Sequence, residues 1–297
     1  MRILLTGSKG QVGFELNRSL AVLGEVTAVD RHSCDLTNES ALRGAVRDCQ
    51  PDVIVNAAAY TAVDRAESEA ELARQVNARA PAILAEEAEA AGALLVHYST
   101  DYVFDGTKTE AYVESDPPAP VSIYGATKWQ GEQAITTATR RHLILRTSWV
   151  FGAHGANFAK TMLRLAGDRA ALNVVADQHG TPTSAALLAD ATAHAIRSYQ
   201  VGGTRHAVFP FGTYHLVASG HTNWCDYARF VIGEAQKLGQ SFKADPEAIN
   251  AITTAEYPTP ARRPANSRMS NRRFAETFAL RLPPWQDGVR HVLNQLF

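Results

Sequence analysis

Tyr124 and Lys128 stand four positions apart in Tyr124-Gly125-Ala126-Thr127-Lys128, a spacing that puts both side chains on one face of a helix. An ammonium beside a phenol stabilises the phenolate, so the pairing predicts a tyrosine whose pKa falls from about 10 towards working pH. Such a phenol can give a proton to a carbonyl oxygen as a hydride reaches the carbon. The same lysine can hold the ribose of a nicotinamide. Upstream, Ser99-Thr100-Asp101-Tyr102 closes an apolar β-type run. Ligands of doubly wound sheets sit beyond such strand ends, where the Thr100 hydroxyl can hydrogen-bond the reacting carbonyl. Neither piece is specific alone, since Tyr–Lys pairs are common on exposed helices and Ser-Thr pairs are common in turns.

The third piece is Thr6-Gly7-Ser8-Lys9-Gly10-Gln11-Val12-Gly13, a G-x-x-G-x-x-G turn between a strand-like and a helix-like run. Gly7 can make the tight turn, Gly10 lets backbone approach a pyrophosphate, and Gly13 lets the helix pack on the sheet. The new helix aims its unpaired N–H groups and dipole at the phosphates. Asp30, twenty positions beyond Gly10, ends the second strand, where a carboxylate can accept from the adenosine ribose hydroxyls. Asp30 favours NADH, because a carboxylate repels a 2′-phosphate, while Arg31 can receive that phosphate, so both NADPH and NADH are expected cofactors. Asp35 and Leu36 can meet the adenine edge. Ala57, Ala58 and Ala59 leave room beside the nicotinamide, although close packing explains small residues there equally well. Gln11, Val12 and Tyr60 complete the candidate cofactor set. Glycine turn, acidic strand end, Thr100 and the Tyr124–Lys128 helix follow one another in the order a single active site requires.

These groups need a scaffold that brings strand ends together. Strand-like runs at 2–6, 26–29, 53–55, 94–99 and 143–145 alternate with helix-like runs at 11–23, 41–49, 67–91 and 124–137. Pro81 interrupts the long Ala-, Glu- and Leu-rich run and predicts a kink or two helices. Alternating βα units with right-handed crossovers give an α/β fold, a doubly wound parallel sheet with helices on both faces. Residues 1–150 are expected to form this Rossmann-like dinucleotide-binding domain. Residues 151–297 are expected to form mainly a smaller C-terminal substrate-binding lobe, with helices at 185–199 and 224–238 and a strand at 214–217. The 185–200 helix can return to the first domain.

Bulk properties exclude several function classes. The 297 residues are 45% hydrophobic and 20% charged, ample for a large core. A net charge of −1 gives no basic bias towards nucleic acid or anionic membrane. No apolar run approaches the ~20 residues that span a bilayer, and the N-terminal apolar stretch is too short for a signal peptide. Cys34, Cys49 and Cys225 are far apart and include no C-x-x-C, which argues against disulfides and zinc and for a reducing cytoplasm. The ten histidines form no H-x-x-x-H or H-E-x-x-H pattern, so no transition-metal site is expected.

The Tyr-x-x-x-Lys pair, Thr100 and the glycine turn resemble the extended short-chain dehydrogenase/reductase superfamily. Longer strings resemble one family within it, the dTDP-4-dehydrorhamnose reductases: Asn56-Ala57-Ala58-Ala59-Tyr60-Thr61-Ala62-Val63-Asp64, Arg146-Thr147-Ser148-Trp149-Val150-Phe151, Asp177-Gln178-His179-Gly180-Thr181-Pro182-Thr183 and Pro260-Ala261-Arg262-Arg263-Pro264. The likeness runs nearly end to end. It implies reduction by NAD(P)H of the C4 ketone of dTDP-4-dehydro-L-rhamnose, a supply step for polysaccharides such as lipopolysaccharide O-antigen. It implies Tyr124 as proton donor, Lys128 as its electrostatic partner and Thr100 as the third member of a triad. Thr100 and Asp101 would contact the sugar, Trp149 would shape its pocket, and Asn157, Gln178 and Arg263 would meet the nucleotide and phosphates. The expected partner is a nucleotide-sugar, and a homodimer is allowed. Some relatives are Mg2+-bridged dimers that use glutamates; the matching positions here are Ala186 and Gln295, which are poor magnesium ligands, so no metal is assigned. Sugar-nucleotide epimerases and dehydratases share the fold. Dehydratases carry a glutamate after the Thr-Asp pair where this chain has Tyr102. A non-catalytic NADP-binding regulatory subunit need not keep Thr100, Tyr124 and Lys128 together.

Overall fold

The computed structural model describes residues 1–202 and 209–297. Its central sheet is built from β1 (Arg2–Thr6), β2 (Glu25–Val29), β3 (Val53–Asn56), β4 (Leu94–Thr100), β5 (His142–Thr147) and β6 (Gly212–His215). All neighbours pair in parallel, in the order β6-β5-β4-β3-β1-β2. A parallel sheet covered on both faces needs strands that are apolar without interruption. Accordingly β3 and β4 are buried along their whole length.

Alternation assigns the two faces. Ile3, Leu5, Val53 and Val55 enter one core with Leu16 and Leu20 of α1 (Gln11–Leu20). Leu4, Ile54 and Leu95 enter the other, under α2 (Glu39–Cys49), α3 (Ala80–Ala91) and α4 (Ile123–Ala138). After β2 the chain returns to the far side of β1 and continues outward. The switch point, where ligands of such sheets bind, therefore lies at the carboxyl ends of β1 and β3.

The expected run at 67–91 is resolved into Ala70–Arg74, a π-helical turn at Gln75–Arg79, and α3. Pro81 has no N–H for the Asn77 carbonyl, and the π-turn accommodates the loss by shifting to i−5 bonding, with the Ala80 N–H donating to Gln75 O.

The second half is shared between two bodies. Helix α5 (Phe158–Asp168) belongs to the outer lobe. Helix α6 (Ala185–Gly202) lies along α1 and contributes Leu188, Ala195 and Ile196 to the sheet's core. β6 extends the sheet beyond β5, and Phe274 and Phe278 seal the same face. Helices α7 (Trp224–Lys237) and α8 (Trp285–Leu296) join α5 in the outer lobe around Phe151, Tyr227, Val231, Trp285 and Leu293. Three two-stranded pairings brace that lobe. Residues from both sides of position 150 thus enter the core over one face of the sheet. Among the described residues no helix is long and apolar enough to cross a membrane.

Candidate active site

The glycine turn closes over the switch point. Gly7 has φ +72, and a Cβ there would stand 2.7 Å from the Ala58 nitrogen. Gly13 is tighter still, since its Cβ would lie 2.0 Å from Gly7 O. No residue but glycine allows the turn, β3's end and α1 to approach this closely. Gly13 therefore supports the turn from beneath. Gly7, Gly10, Gln11 and Val12 line a cleft of about 760 Å³. The same cleft is walled by Asp30, Arg31, Asp35 and Leu36 at one end and by Ala58, Ala59 and Tyr60 along the side. Tyr124 and Lys128 stand at the other end. The cofactor residues read from the sequence, Gly13 apart, thus face one cavity of dinucleotide size.

Asp30 is already engaged. Its carboxylate meets Lys9 Nζ at 3.0 Å and accepts the N–H groups of His32 and Ser33. These partners, Lys9 foremost, hold it well below the usual carboxylate range. Arg31 beside it is exposed.

Strand β4 ends at Thr100, with Ser99 lining the cleft and Asp101 following, and Ser122 caps α4 so that Tyr124 emerges from its first turn. Burial pushes the Tyr124 phenol up from its ordinary value, and the neighbouring Thr100 hydroxyl opposes this only in part. This corrects the expectation of a tyrosine lowered by Lys128. The Lys128 amine is turned away instead, donating to Tyr98 O at 2.6 Å and meeting His97 Nε2 at 3.2 Å. Its surroundings exclude water, and burial lowers Lys128 to about 8. The Thr100 hydroxyl donates to Asp101 Oδ1 at 2.9 Å. Burial raises Asp101 to about 6, with the Ser267 and Thr100 hydroxyls pulling the other way. Asp101 Oδ2 is buried without a hydrogen-bond partner among the described residues.

The remaining candidates divide into two groups. The Trp149 backbone is left-handed at φ +47, and its ring stacks on Trp224 with centroids 3.5 Å apart. Trp224 Nε1 donates to Gln178 Oε1. Trp149 and Gln178 therefore share one wall of the outer lobe. Arg263 belongs with the catalytic helix. Its Nη2 donates to Asp64 at 2.7 Å, it lies over the Tyr102 ring, and that ring packs edge-on to Tyr124 at 5.5 Å. Arg263 Nη1 is buried and unpartnered among the described residues. Asn157 has a different task. Its Oδ1 caps α5, and its Nδ2 donates to Gln11 Oε1 and Gly152 O, so it ties the outer lobe to the glycine turn.

Spacing gave no signal for three participants. Asn77, turned inward by the π-turn, accepts from Tyr60 N and donates to Tyr60 O and Thr127 Oγ1. It thereby locks the cofactor wall to the catalytic helix. Asp64 anchors Arg263, and Trp224 backs Trp149. Each partner lies far away in sequence. Among the described residues no group of three or more His, Cys, Asp or Glu converges to hold a metal.

Comparison with known proteins finds likeness over the whole chain. The family described as the RmlD substrate binding domain matches residues 1–297. The dTDP-4-dehydrorhamnose reductase of Escherichia coli K12 is 51% identical, covering 100% of this chain and 98% of its own. The crystal structure of a Clostridium acetobutylicum dTDP-4-dehydrorhamnose reductase superposes with a TM-score of 0.89 at 34% identity, over 100% of this chain and 99% of that one. A Bacillus anthracis dTDP-4-dehydrorhamnose reductase in complex with NADP superposes at 0.88, also 34% identical, over 99% of each chain. A six-stranded doubly wound sheet, a dinucleotide-sized cleft lined by Tyr124 and Lys128, and these full-length likenesses place the chain in the dTDP-4-dehydrorhamnose reductase family.

Proposed function

We propose that this protein reduces the C4 ketone of dTDP-4-dehydro-L-rhamnose to dTDP-L-rhamnose with NADPH or NADH. The observation that carries this reading is Tyr124, with Thr100 beside it, standing in the same cleft that the glycine turn lines. The glycine turn, whose Gly7 and Gly10 face the cleft without side chains, fits a pyrophosphate. When bound, the reduced nicotinamide supplies the hydride.

The chain's own residues do the rest. A phenol held above its ordinary value stays protonated across neutral pH, which suits the donor in a reduction. Tyr124 gives that proton to the ketone oxygen, and Thr100 orients the same oxygen. The unpartnered Asp101 Oδ2 accepts a sugar hydroxyl, and the unpartnered Arg263 Nη1 donates to an anionic or carbonyl oxygen of the nucleotide. The stacked Trp149–Trp224 wall excludes water from the sugar side. Arg31, exposed beside Asp30, donates to a 2′-phosphate, and Asp30, neutralised by Lys9, tolerates it. The reading places the protein in the cytoplasm, supplying rhamnose for a surface polysaccharide.

The test is loss of reduced-nicotinamide absorbance on adding dTDP-4-dehydro-L-rhamnose. Consumption that requires this sugar, with dTDP-rhamnose appearing, is the expected result. A folded, cofactor-binding protein that consumes no cofactor would overturn the assigned chemistry.

A further inference from the structure

Beneath the catalytic pair runs a buried hydrogen-bonded chain that the reaction as described does not use. Thr6 Oγ1 donates to Asn56 Oδ1 at 2.6 Å, Asn56 Nδ2 meets His97 Nδ1 at 3.0 Å, and His97 Nε2 meets Lys128 Nζ at 3.2 Å. Asn56 and His97 are fully buried and Lys128 nearly so. The chain links β1, β3, β4 and α4 across the sheet's carboxyl edge.

The donors in it can be counted. Asn56 Oδ1 accepts from the Thr6 hydroxyl and from the Ala58 N–H at 3.2 Å. The backbone N–H can only donate, so the atom facing it is the amide oxygen and the amide nitrogen faces His97. That nitrogen also can only donate, so His97 Nδ1 must be bare. A neutral imidazole with a bare Nδ1 carries its proton on Nε2, which points at Lys128. A hydrogen bond there needs a lone pair on Nζ. An ammonium has none, but an amine can accept from His97 and still donate to Tyr98 O.

We propose that His97 is a positioning residue for Lys128: held in one tautomer by Asn56, it donates Nε2–H to Nζ and favours the neutral amine of the lysine, the form present on the alkaline side in the ligand-free site. The other groups around Nζ agree. Tyr124 lies one turn up the same helix and is neutral. Glu132, one turn down, favours the ammonium, but it is spent on Arg146 of β5 at 2.6 Å and on Ser99 of β4. Asn77 of the π-turn and Thr127 are uncharged. Asp101, beyond the strand end, faces Thr100 and Tyr124 rather than Nζ. Burial lowers Lys128 to about 8 and keeps His97 well below its ordinary range, so both are neutral together on the alkaline side. The lysine thus changes charge within the working range and can respond to what enters the cleft.

The proposal builds on the reading of Lys128 as part of the active site, yet its test needs no turnover. In the intact ligand-free protein, nitrogen NMR of His97 reports the tautomer, and carbon-labelled lysine reports the Lys128 titration. The expected results are a protonated Nε2 with a bare Nδ1, and a Lys128 midpoint near 8. A protonated Nδ1, or a Lys128 that stays an ammonium up to about pH 10, its ordinary value, would overturn the proposal. His97→Gln presents an acceptor to Asn56 and a donor to Lys128, and should leave the midpoint within about half a unit. Asn56→Asp offers His97 Nδ1 an acceptor, which should move the imidazole proton to Nδ1 and raise Lys128 by about one unit or more. An unmoved midpoint in folded Asn56→Asp would refute the coupling. Should Asn56→Asp not fold, the wild-type tautomer alone decides. Failure here with sustained reductase activity would leave the functional reading intact.

Discussion

At the scale of single residues, the site holds charges away from their ordinary states by burial. Tyr124 is the proton donor of the proposed reaction, so Tyr124→Phe should lower kcat by roughly 10²–10⁴ while cofactor binding changes little. Steady-state kinetics beside a cofactor titration would show it; unchanged turnover would remove Tyr124 from the role. Asp101 makes a prediction of opposite sign for stability. Its carboxyl rises from 3.8 to about 6 on folding. Stability is therefore present below the unfolded value and lost as pH climbs through 6. Asp101→Asn should stabilise the protein at pH 8 by about 2–3 kcal/mol, with the gain shrinking towards pH 5. Turnover should fall in the same variant, because the amide is a poorer acceptor for a sugar hydroxyl. Urea unfolding at both pH values checks the sign.

At the scale of elements, the glycine turn depends on contacts that tolerate no side chain. Gly13→Ala would drive a methyl into Gly7 O, a backbone atom that cannot swing aside. It should cost about 2–4 kcal/mol and weaken dinucleotide binding at least tenfold, read by thermal unfolding and cofactor titration. Asn157 couples elements differently, as helix cap and as tether of the turn. Asn157→Ala should cost about 1–2 kcal/mol and raise KM for cofactor more than for the sugar. A rise confined to the sugar would return Asn157 to the nucleotide-contact role that family resemblance implies. Arg31→Ala should reduce the preference for NADPH over NADH roughly tenfold, through loss of a charge-assisted bond to the 2′-phosphate.

At the scale of the whole molecule, the two lobes share one chain so thoroughly that neither half is complete. Leu188, Ile196, Tyr214 and Phe274 all enter the core that covers one face of the sheet. A fragment of residues 1–150 would expose that face and leave β5 as an open edge. It should aggregate or lack a cooperative melt by circular dichroism, whereas the full chain should unfold with one dominant transition. A folded, cooperative fragment would show that the returning elements are dispensable.

The amino-acid sequence by itself determined the parallel sheet, the glycine turn and the order of the catalytic groups. Those features are written in local patterns: unbroken apolar runs for strands buried on both faces, glycines where Cβ atoms collide, and a four-residue spacing that helix geometry turns into a shared face. Even the π-turn has a local cause in Pro81, although its consequence, the inward Asn77, does not. Only the tertiary structure decided the direction of the Tyr124 shift, because burial raises the phenol while the lysine is bonded elsewhere. The same holds for the pairing of Gly212–His215 with the sheet, the Trp149–Trp224 stack, the Asp64–Arg263 pair and the Asn56–His97–Lys128 chain. These join residues tens to hundreds of positions apart. Desolvation and hydrogen-bond pairing are set by what surrounds an atom in space, which the spacing of residues along a chain does not record.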